Sequence, residues 1–364
     1  MRIGILTFHC AINYGAVLQA YALQEYLKGL GHDVYVLDYR PSYLLNPYKT
    51  FIWKWLADKS LVENVKSLLR CLLITPIKIK RKLYFQQFTR KYLNLYPFLP
   101  ERIDLDAIFL GSDQIWNPQI TEGLDPIYFG DFKLPNKCKV ISYAASVGSI
   151  KNIIGLEDKF KMLLKHIDYI SVREKSLADY IDTFAWRGDL VPVVVDPVLL
   201  VGKNVFTSMN LKRKCNKPYL LVFRLSHHSY GNMLVLANQI ASQRGLDVID
   251  LVSSSEVLRN RGMRMSETVE DFISLFMYAD YVLTSSFHGT IFSVIFEKNF
   301  NTIISGDWTS ERMIGILSLL GLEDRLLKDE MLSIEPSSID YVEVNRRLEL
   351  LRLKSRLSLR KFLS

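Results

Sequence analysis

Short apolar runs alternate with amphipathic stretches along this chain, and the alternation predicts strands followed by helices. Residues 1–7 form an apolar run that enters a polar loop, and the apolar positions of 17–30 recur at helical spacing before Gly31. A second apolar run follows at 34–38. A strand, a helix and a strand in this order predict a parallel, doubly wound sheet.

The same alternation continues to about residue 200 and starts again near Pro218. The further strands expected in the first part are 107–110, 140–143, 169–172 and 191–195. The second part predicts strands at 219–223, 248–251 and 281–283, with helices at 233–244 and 266–279. Several of these strands end in loops of small or polar residues. In a parallel sheet such loops lie along one edge, where we expect the active-site crevice.

The predicted fold class is therefore α/β, with two doubly wound Rossmann-like domains that face each other across a cleft, a GT-B-like arrangement. The expected domains are 1–200 and 218–340, joined by a linker-like segment at 201–217. Residues at about 41–102 form a basic, aromatic helical insertion in the first domain. Residues 341–364 carry leucines at helical spacing among basic side chains and predict a final amphipathic helix.

Composition is compatible with this organisation. A chain of 364 residues with 49% hydrophobic content is long enough for two domains. The four cysteines are scattered singly, so neither a disulfide framework nor a metal site is predicted. The chain opens on a strand rather than a signal peptide, and no apolar run approaches the ~20 residues of a membrane span. We expect a cytoplasmic protein without a metal or cofactor.

The net charge of +8 is concentrated in one segment. Residues 40–102 contain thirteen basic and three acidic residues, interleaved with aromatic side chains, so the rest of the chain is slightly acidic. This mixture favours peripheral contact with anionic lipids at the inner face of a membrane. The same composition is equally compatible with an ordinary solvated helical insertion. No nucleic-acid-binding motif accompanies the patch, so we expect no nucleic acid partner.

His288 is the strongest candidate for chemistry. It stands in a loop of small polar residues, 284–290, between the apolar run 281–283 and a helical pattern at 291–296. A histidine exchanges protons near neutral pH, which suits a general acid or base. The loops 13–16 and 285–290 each open a helix and offer N–H donors to an anion.

Seven stretches, taken in order, resemble the polysaccharide pyruvyl transferase family. They are 13–23, 111–117, 143–146, 171–174, 196–197, 284–292, and 310–313 leading to 319–322. Each stretch alone is a weak signal, but seven in order at comparable spacing make a specific match. The resemblance covers the insertion at 41–100 least.

The resemblance implies an enzyme that moves the pyruvyl unit of phosphoenolpyruvate onto two sugar hydroxyls as a cyclic ketal and releases phosphate, in capsule or exopolysaccharide synthesis. The implied acceptor is a lipid-linked or nucleotide-linked sugar. His288 would be catalytic, and Asp113 would orient it or accept a hydroxyl proton. The substrate-binding candidates are Arg173, Asn13, Gly15, Ser285, Ser286, Gly289, Thr290 and Arg312.

One position departs from the family pattern. Some members carry an arginine two residues before the histidine, where this chain has Ser286. Arg312, or alternatively Arg224, would then supply the second positive charge for the donor. Structural roles are also open, since Arg173 can pair with Glu174 and the loop at 13–16 can serve only as a turn.

Two other functions remain compatible with the sequence. The fold alone does not select a donor, so a GT-B glycosyltransferase that uses a nucleotide sugar is one alternative. A non-catalytic scaffold for glycan assembly is the other, and it requires that His288→Ala leave function intact.

Overall fold

The computed structural model describes residues 1–45, 61–134, 138–184, 188–209, 211–224, 231–252, 263–264, 267–304, 311–328 and 338–363. In these ranges the strands are β1 (Arg2–Leu6), β2 (Asp33–Leu37), β3 (Leu95–Tyr96), β4 (Ala107–Leu110), β5 (Lys139–Ser142), β6 (Tyr219–Arg224), β7 (Asp247–Val252), β8 (Met263–Arg264), β9 (Tyr281–Thr284), β10 (Asn299–Ile304) and β11 (Leu326–Lys328). The α-helices are α1 (Tyr14–Gly29), α2 (Ser42–Leu45), α3 (Leu61–Tyr92), α4 (Glu157–Leu164), α5 (Lys175–Asp182), α6 (Pro197–Val201), α7 (Lys203–Thr207), α8 (Gly231–Arg244), α9 (Val269–Tyr278), α10 (Phe287–Ile295), α11 (Glu311–Leu320) and α12 (Tyr341–Leu363).

Two parallel sheets organise the chain. The first has the strand order β3-β2-β1-β4-β5, and the second has the order β11-β10-β9-β6-β7-β8. In each sheet the first strand in sequence lies inside, and later strands are added on both of its sides. This is the doubly wound pattern, so the predicted α/β fold class with two Rossmann-like units is confirmed. The strand order reverses between β1 and β4 in the first unit, and between β6 and β9 in the second.

Two expected strands of the first unit, 169–172 and 191–195, are present only as isolated bridges. Tyr169 pairs with Ile141, and Val172 pairs with Val193. Pro192 accounts for part of this difference, because it accepts a hydrogen bond from the Val172 N–H (3.0 Å) but has no N–H of its own to continue a ladder. The backbone still runs along the sheet edge there, so the loops that follow remain beside the carboxyl end of β5.

Aromatic side chains join the two units. Tyr14, the first residue of α1, stacks on Phe272 of α9 with ring centroids 4.3 Å apart. Its hydroxyl donates a hydrogen bond to the Glu267 carbonyl (2.8 Å), and Phe223 of β6 packs edge-on against its ring. All three rings are buried. Burial of large aromatic surfaces fixes the N-terminus of α1 against the second unit.

The insertion and the linker are only partly described. In the insertion, α3 covers 61–92, and its buried Phe85 packs against the Tyr14 ring. Residues 46–60, which carry part of the basic aromatic pattern, lie outside the described residues. The linker-like segment contains the short helix α7. None of the helices in the described ranges is long and apolar enough to cross a bilayer.

Helix α12 carries the chain back to the first unit. The Val195 N–H donates to the Ser355 hydroxyl (3.0 Å), and the Arg352 Nε donates to the Leu199 carbonyl (2.6 Å). Leu359 on the same inner face is fully buried. The last helix therefore packs against α6 of the first unit and also against α11 of the second.

Substitution of this inner face should destabilise the fold, whereas the outer face should tolerate change. Leu359→Ala removes a fully buried side chain, and we expect the free energy of unfolding to fall by about 2–4 kcal/mol. Leu357 is 55% exposed, and Leu357→Ala should change the free energy of unfolding by less than about 0.5 kcal/mol. Urea unfolding followed by circular dichroism measures both. Equal losses would contradict the packing of α12.

Candidate active site

The N-termini of α1 and α10 meet between the two sheets, and the side chain of the N-cap residue caps each helix. Asn13 Oδ1 accepts hydrogen bonds from the Gly15 N–H (2.9 Å) and the Ala16 N–H (3.4 Å). The Ser286 hydroxyl accepts from the Gly289 N–H (3.4 Å). Both are ordinary N-caps. The Gly15 N–H, expected as a donor to substrate, therefore already has an acceptor in this structure.

Gly15 instead provides space for the candidate catalytic residue. A Cβ atom at this position would lie 2.0 Å from His288 Nδ1, which is closer than any side chain can approach. His288 is the second residue of α10 and is only 8% exposed. Glycine at position 15 thus allows the imidazole of the second unit to rest directly on the first turn of α1.

Asp196 is the acidic group that connects these elements. It caps α6, where Oδ1 accepts from the Val198 N–H (3.0 Å). Oδ2 accepts from Arg173 Nη1 (3.0 Å) and from the Ser112 hydroxyl (3.2 Å). His288 Nε2 lies 3.7 Å from the same Oδ2. A carboxylate that is 1% exposed therefore touches a cation, a hydroxyl and the imidazole at once.

Asp196 was not among the predicted site residues, although the stretch 196–197 belongs to the family resemblance. An aspartate followed by proline after an apolar run indicates a helix N-cap, and Asp196 is one. From the sequence, the role of orienting His288 is expected of Asp113. Asp113 uses Oδ1 to accept the Gln114 N–H (2.9 Å), while the Asp196 carboxylate lies 3.7 Å from His288 Nε2.

The surroundings of His288 favour its neutral form. Burial lowers the pKa of His288 below its ordinary value of 6.5. The nearby Asp196 and Asp113 carboxylates oppose this effect, while Arg173 and Arg312 add to it. Nε2 is buried without a hydrogen-bond partner in the described part of the chain. Burial thus favours the uncharged imidazole, and Nε2 is the nitrogen left without a hydrogen bond among the described residues.

Arg173 is largely committed to this network. Its Nε donates to Glu174 Oε1 (3.0 Å), its Nη1 donates to Asp196, and its guanidinium lies 4.5 Å from the Phe287 ring centroid. Burial alone would lower the pKa of Arg173, but the carboxylates of Glu174, Asp196 and Asp113 outweigh it and raise the pKa. The pairing with Glu174 is the structural role considered from the sequence, and Asp196 extends it.

Arg312, the second residue of α11, is the cation that lies nearer the substrate space. Its guanidinium is 5.6 Å from the Phe287 ring centroid. With its amide turned so that the oxygen faces Arg312, Gln114 would accept hydrogen bonds from Nη1 (3.1 Å) and Nη2 (3.3 Å). Burial and the charge of Arg173 lower the pKa of Arg312 to about 10. Its Nε has no hydrogen-bond partner among the described residues.

Arg224, the alternative to Arg312, is already neutralised. It is buried and makes a two-point ion pair with Asp250, with Nε–Oδ1 at 3.0 Å and Nη2–Oδ2 at 2.6 Å. A paired, buried cation has little charge left to offer a ligand. The structure therefore favours Arg312 as the second positive group.

A cavity of about 340 Å³ lies where the two units meet. Five predicted residues line it together, and they are Asn13, Asp113, Ser286, His288 and Arg312. Phe8, Tyr43 and Phe287 add aromatic walls. Asp113 has a backbone φ of 79°, in the left-handed region that an aspartate adopts only at special positions. Loops from both sheets thus converge on one polar space with an apolar rim.

Five predicted residues do not line this cavity. Arg173 and Gly15 are described above, and the other three are Ser285, Gly289 and Thr290. The buried Ser285 hydroxyl has no hydrogen-bond partner in the ranges that the structure covers. A Cβ at Gly289 would lie 2.1 Å from Thr284 Oγ1, so this glycine allows α10 to pack on β9. The Thr290 hydroxyl bonds to the Ser286 carbonyl (3.0 Å) and to the Thr302 hydroxyl (2.8 Å). Gly289 and Thr290 therefore serve helix–sheet packing in this structure.

Residues 13–306 match the model of the polysaccharide pyruvyl transferase family, which accounts for most of the chain. The chain belongs to this family. It is therefore a transferase enzyme, as the resemblance implied, and the matched region includes His288, Arg173, Asp113 and the newly found Asp196. Arg312 and α12 lie beyond the end of the matched region.

No curated protein matches this pyruvyl transferase. Among solved structures, MnaA of S. aureus, determined with UDP, is 12% identical, with 98% of this chain and 90% of that chain covered and a TM-score of 0.48. UDP-N-acetylglucosamine 2-epimerase from Rickettsia bellii is 11% identical, with 100% and 95% covered and a TM-score of 0.46. Similarities at this level do not indicate what the pyruvyl transferase binds.

The depressed pKa of His288 should make the stability of the fold depend on pH. Below the ordinary value of 6.5 the unfolded chain binds a proton that the folded protein excludes, so stability should fall as pH drops through 6.5 towards the lower folded value. Urea unfolding at pH 7.5 and at mildly acidic pH measures this loss. His288→Gln should reduce it, whereas His166→Gln, at an exposed side chain, should not. An unchanged loss in His288→Gln would contradict the burial argument.

Proposed function

We propose that this polysaccharide pyruvyl transferase uses phosphoenolpyruvate as its donor and forms a cyclic ketal on two hydroxyls of a lipid-linked or nucleotide-linked sugar, with release of phosphate. The reaction would serve capsule, exopolysaccharide or other cell-surface glycan synthesis in the cytoplasm. The observation that carries the proposal is the pairing of a buried, neutral His288 with the incompletely bonded Arg312 around one cavity.

The donor carries a carboxylate and a phosphate, so its site needs fixed positive charge. Arg312 lines the cavity and has an unfilled Nε–H in the described structure, and charge-assisted hydrogen bonds to such anions are the strong ones. Ser286, at the position where some members have an arginine, lines the same cavity. Arg312 thus approaches from α11 the space that a long side chain at 286 would otherwise occupy.

The reaction requires two proton movements. The methylene carbon of the donor gains a proton, one sugar oxygen bonds to the adjacent carbon, and the second sugar oxygen then displaces phosphate from that carbon. Of the two hydroxyl protons, one ends on the new methyl group and the other ends on phosphate. A group that takes a proton from a hydroxyl and gives one to the methylene carbon therefore serves the first half of the reaction.

His288 fits this role because its charge can change when the donor binds. Burial lowers the pKa of His288 and favours the neutral imidazole, whereas the anionic groups of phosphoenolpyruvate would favour the imidazolium. Asp196, 3.7 Å from Nε2, would stabilise the imidazolium and orient the ring. Asp113 lines the same cavity and is assigned to the sugar hydroxyls.

Arg312→Gln and His288→Ala should impair different steps. With phosphoenolpyruvate and a panel of UDP-linked and undecaprenyl-diphosphate-linked sugars, we expect acceptor-dependent phosphate release. His288→Ala should lower kcat by about 10²–10⁴-fold because the proton carrier is lost. Arg312→Gln should raise the KM for phosphoenolpyruvate about tenfold or more because a charged hydrogen bond to an anion is lost. Arg347→Gln, in an exposed ion pair with Glu343, is the matched control and should match wild type.

Two outcomes would reject the proposal. If a nucleotide sugar raises the Tm while phosphoenolpyruvate does not, a glycosyltransferase activity replaces pyruvyl transfer. If His288→Ala keeps full activity in glycan assembly, the chain acts as a scaffold and the cavity is not catalytic.

A further inference from the structure

Three leucines are exposed along the outer face of α12. Leu350, Leu353 and Leu357 are 50%, 51% and 55% exposed, and their spacing of three and four residues aligns them along the helix. The opposite face of the helix, which includes Leu348 and Leu359, is buried against the rest of the protein. Helix α12 therefore carries leucines on both sides, and among the residues that the structure describes only its inner side is covered.

Basic side chains flank the exposed leucines. Helix α12 contains seven basic and two acidic residues. The two acidic residues are already engaged along the helix, Glu343 with Arg346 and Arg347, and Glu349 with Arg352. Lys354 and Arg360 are both exposed, beside the leucines. An apolar strip with an excess of positive charge at its edges is typical of helices that lie in a membrane interface.

We propose that the outer face of α12 docks on a bilayer surface that contains anionic lipids. The leucines would enter the boundary of the acyl chains, and the basic side chains would lie among the headgroup phosphates. A second copy of this chain is a poorer occupant, because two such faces would bring like charges together. The inner face already holds the helix in place, so docking requires no folding step.

The outer face of α12 lies next to a second cavity. Leu351 and Lys354 of the helix line a larger cavity of about 460 Å³, and Arg173 and Arg312 line the same cavity. Its other walls include apolar residues of α11 such as Ile314 and Leu319, both partly exposed. A bilayer against α12 would thus lie next to a space that extends to the arginines of the site.

Vesicle sedimentation tests the proposal. Wild type should bind vesicles of phosphatidylglycerol and phosphatidylcholine, bind phosphatidylcholine alone weakly, and lose binding as salt rises. Leu350→Gln/Leu353→Gln/Leu357→Gln should lower the partition coefficient at least about tenfold. Lys354→Gln and Arg360→Gln should each lower it about fivefold on anionic vesicles. The matched control, Ile154→Gln/Leu190→Gln, alters exposed apolar residues of the first unit and should bind as wild type.

Three results would overturn the proposal. The first is undiminished binding by the triple leucine variant when its urea unfolding curve matches wild type. The second is loss of binding only when Ile79 and Leu83, exposed on α3, are changed to glutamine, which would assign the contact to the 41–102 insertion. The third is a concentration-dependent dimer, without vesicle binding, that the triple variant abolishes. None of these measurements depends on pyruvyl transfer, so failure here would leave the proposed function untouched.

Discussion

The buried carboxylate of Asp196 is the interaction on which the site depends. It receives hydrogen bonds from Arg173 and Ser112, caps α6, and lies 3.7 Å from the imidazole of His288. Loss of this carboxylate would leave the buried Arg173 guanidinium with Glu174 as its remaining carboxylate partner, and breaking a buried ion pair is strongly destabilising. The same carboxylate favours the charged form of His288, against the larger effect of burial. Asp196 therefore contributes both to the stability of the fold and to the protonation of His288.

This arrangement requires that the two units stay in fixed register. His288 belongs to the second unit, whereas Asp196 and Gly15 belong to the first, and the contact between them leaves no room for a side chain at position 15. The stacked pair of Tyr14 and Phe272 lies next to that glycine and locks α1 onto the second unit. Aromatic packing thus holds His288 of the second unit at a fixed distance from Asp196 and Gly15 of the first unit.

The sequence predicted the fold well because hydrophobic periodicity is local, and it predicted the loop residues because parallel strands bring their carboxyl ends to one edge. His288 and Asp113 were found in this way, whereas Arg312 was named from the family resemblance. The sequence did not predict that Asp196 contacts His288. An aspartate before proline indicates a helix N-cap, and no local pattern shows that the two residues are close in space. The weak strands beside Pro192 and the spatial role of Gly15 likewise depend on tertiary contacts.

A crystal structure with phosphoenolpyruvate bound in the absence of acceptor would show where the donor lies relative to His288 and Arg312. We expect donor density in the cavity of about 340 Å³, with an anionic group on Arg312 and the methylene carbon facing His288. Density that avoids both residues, or a donor held in the larger cavity with His288 Nε2 out of reach, would contradict it.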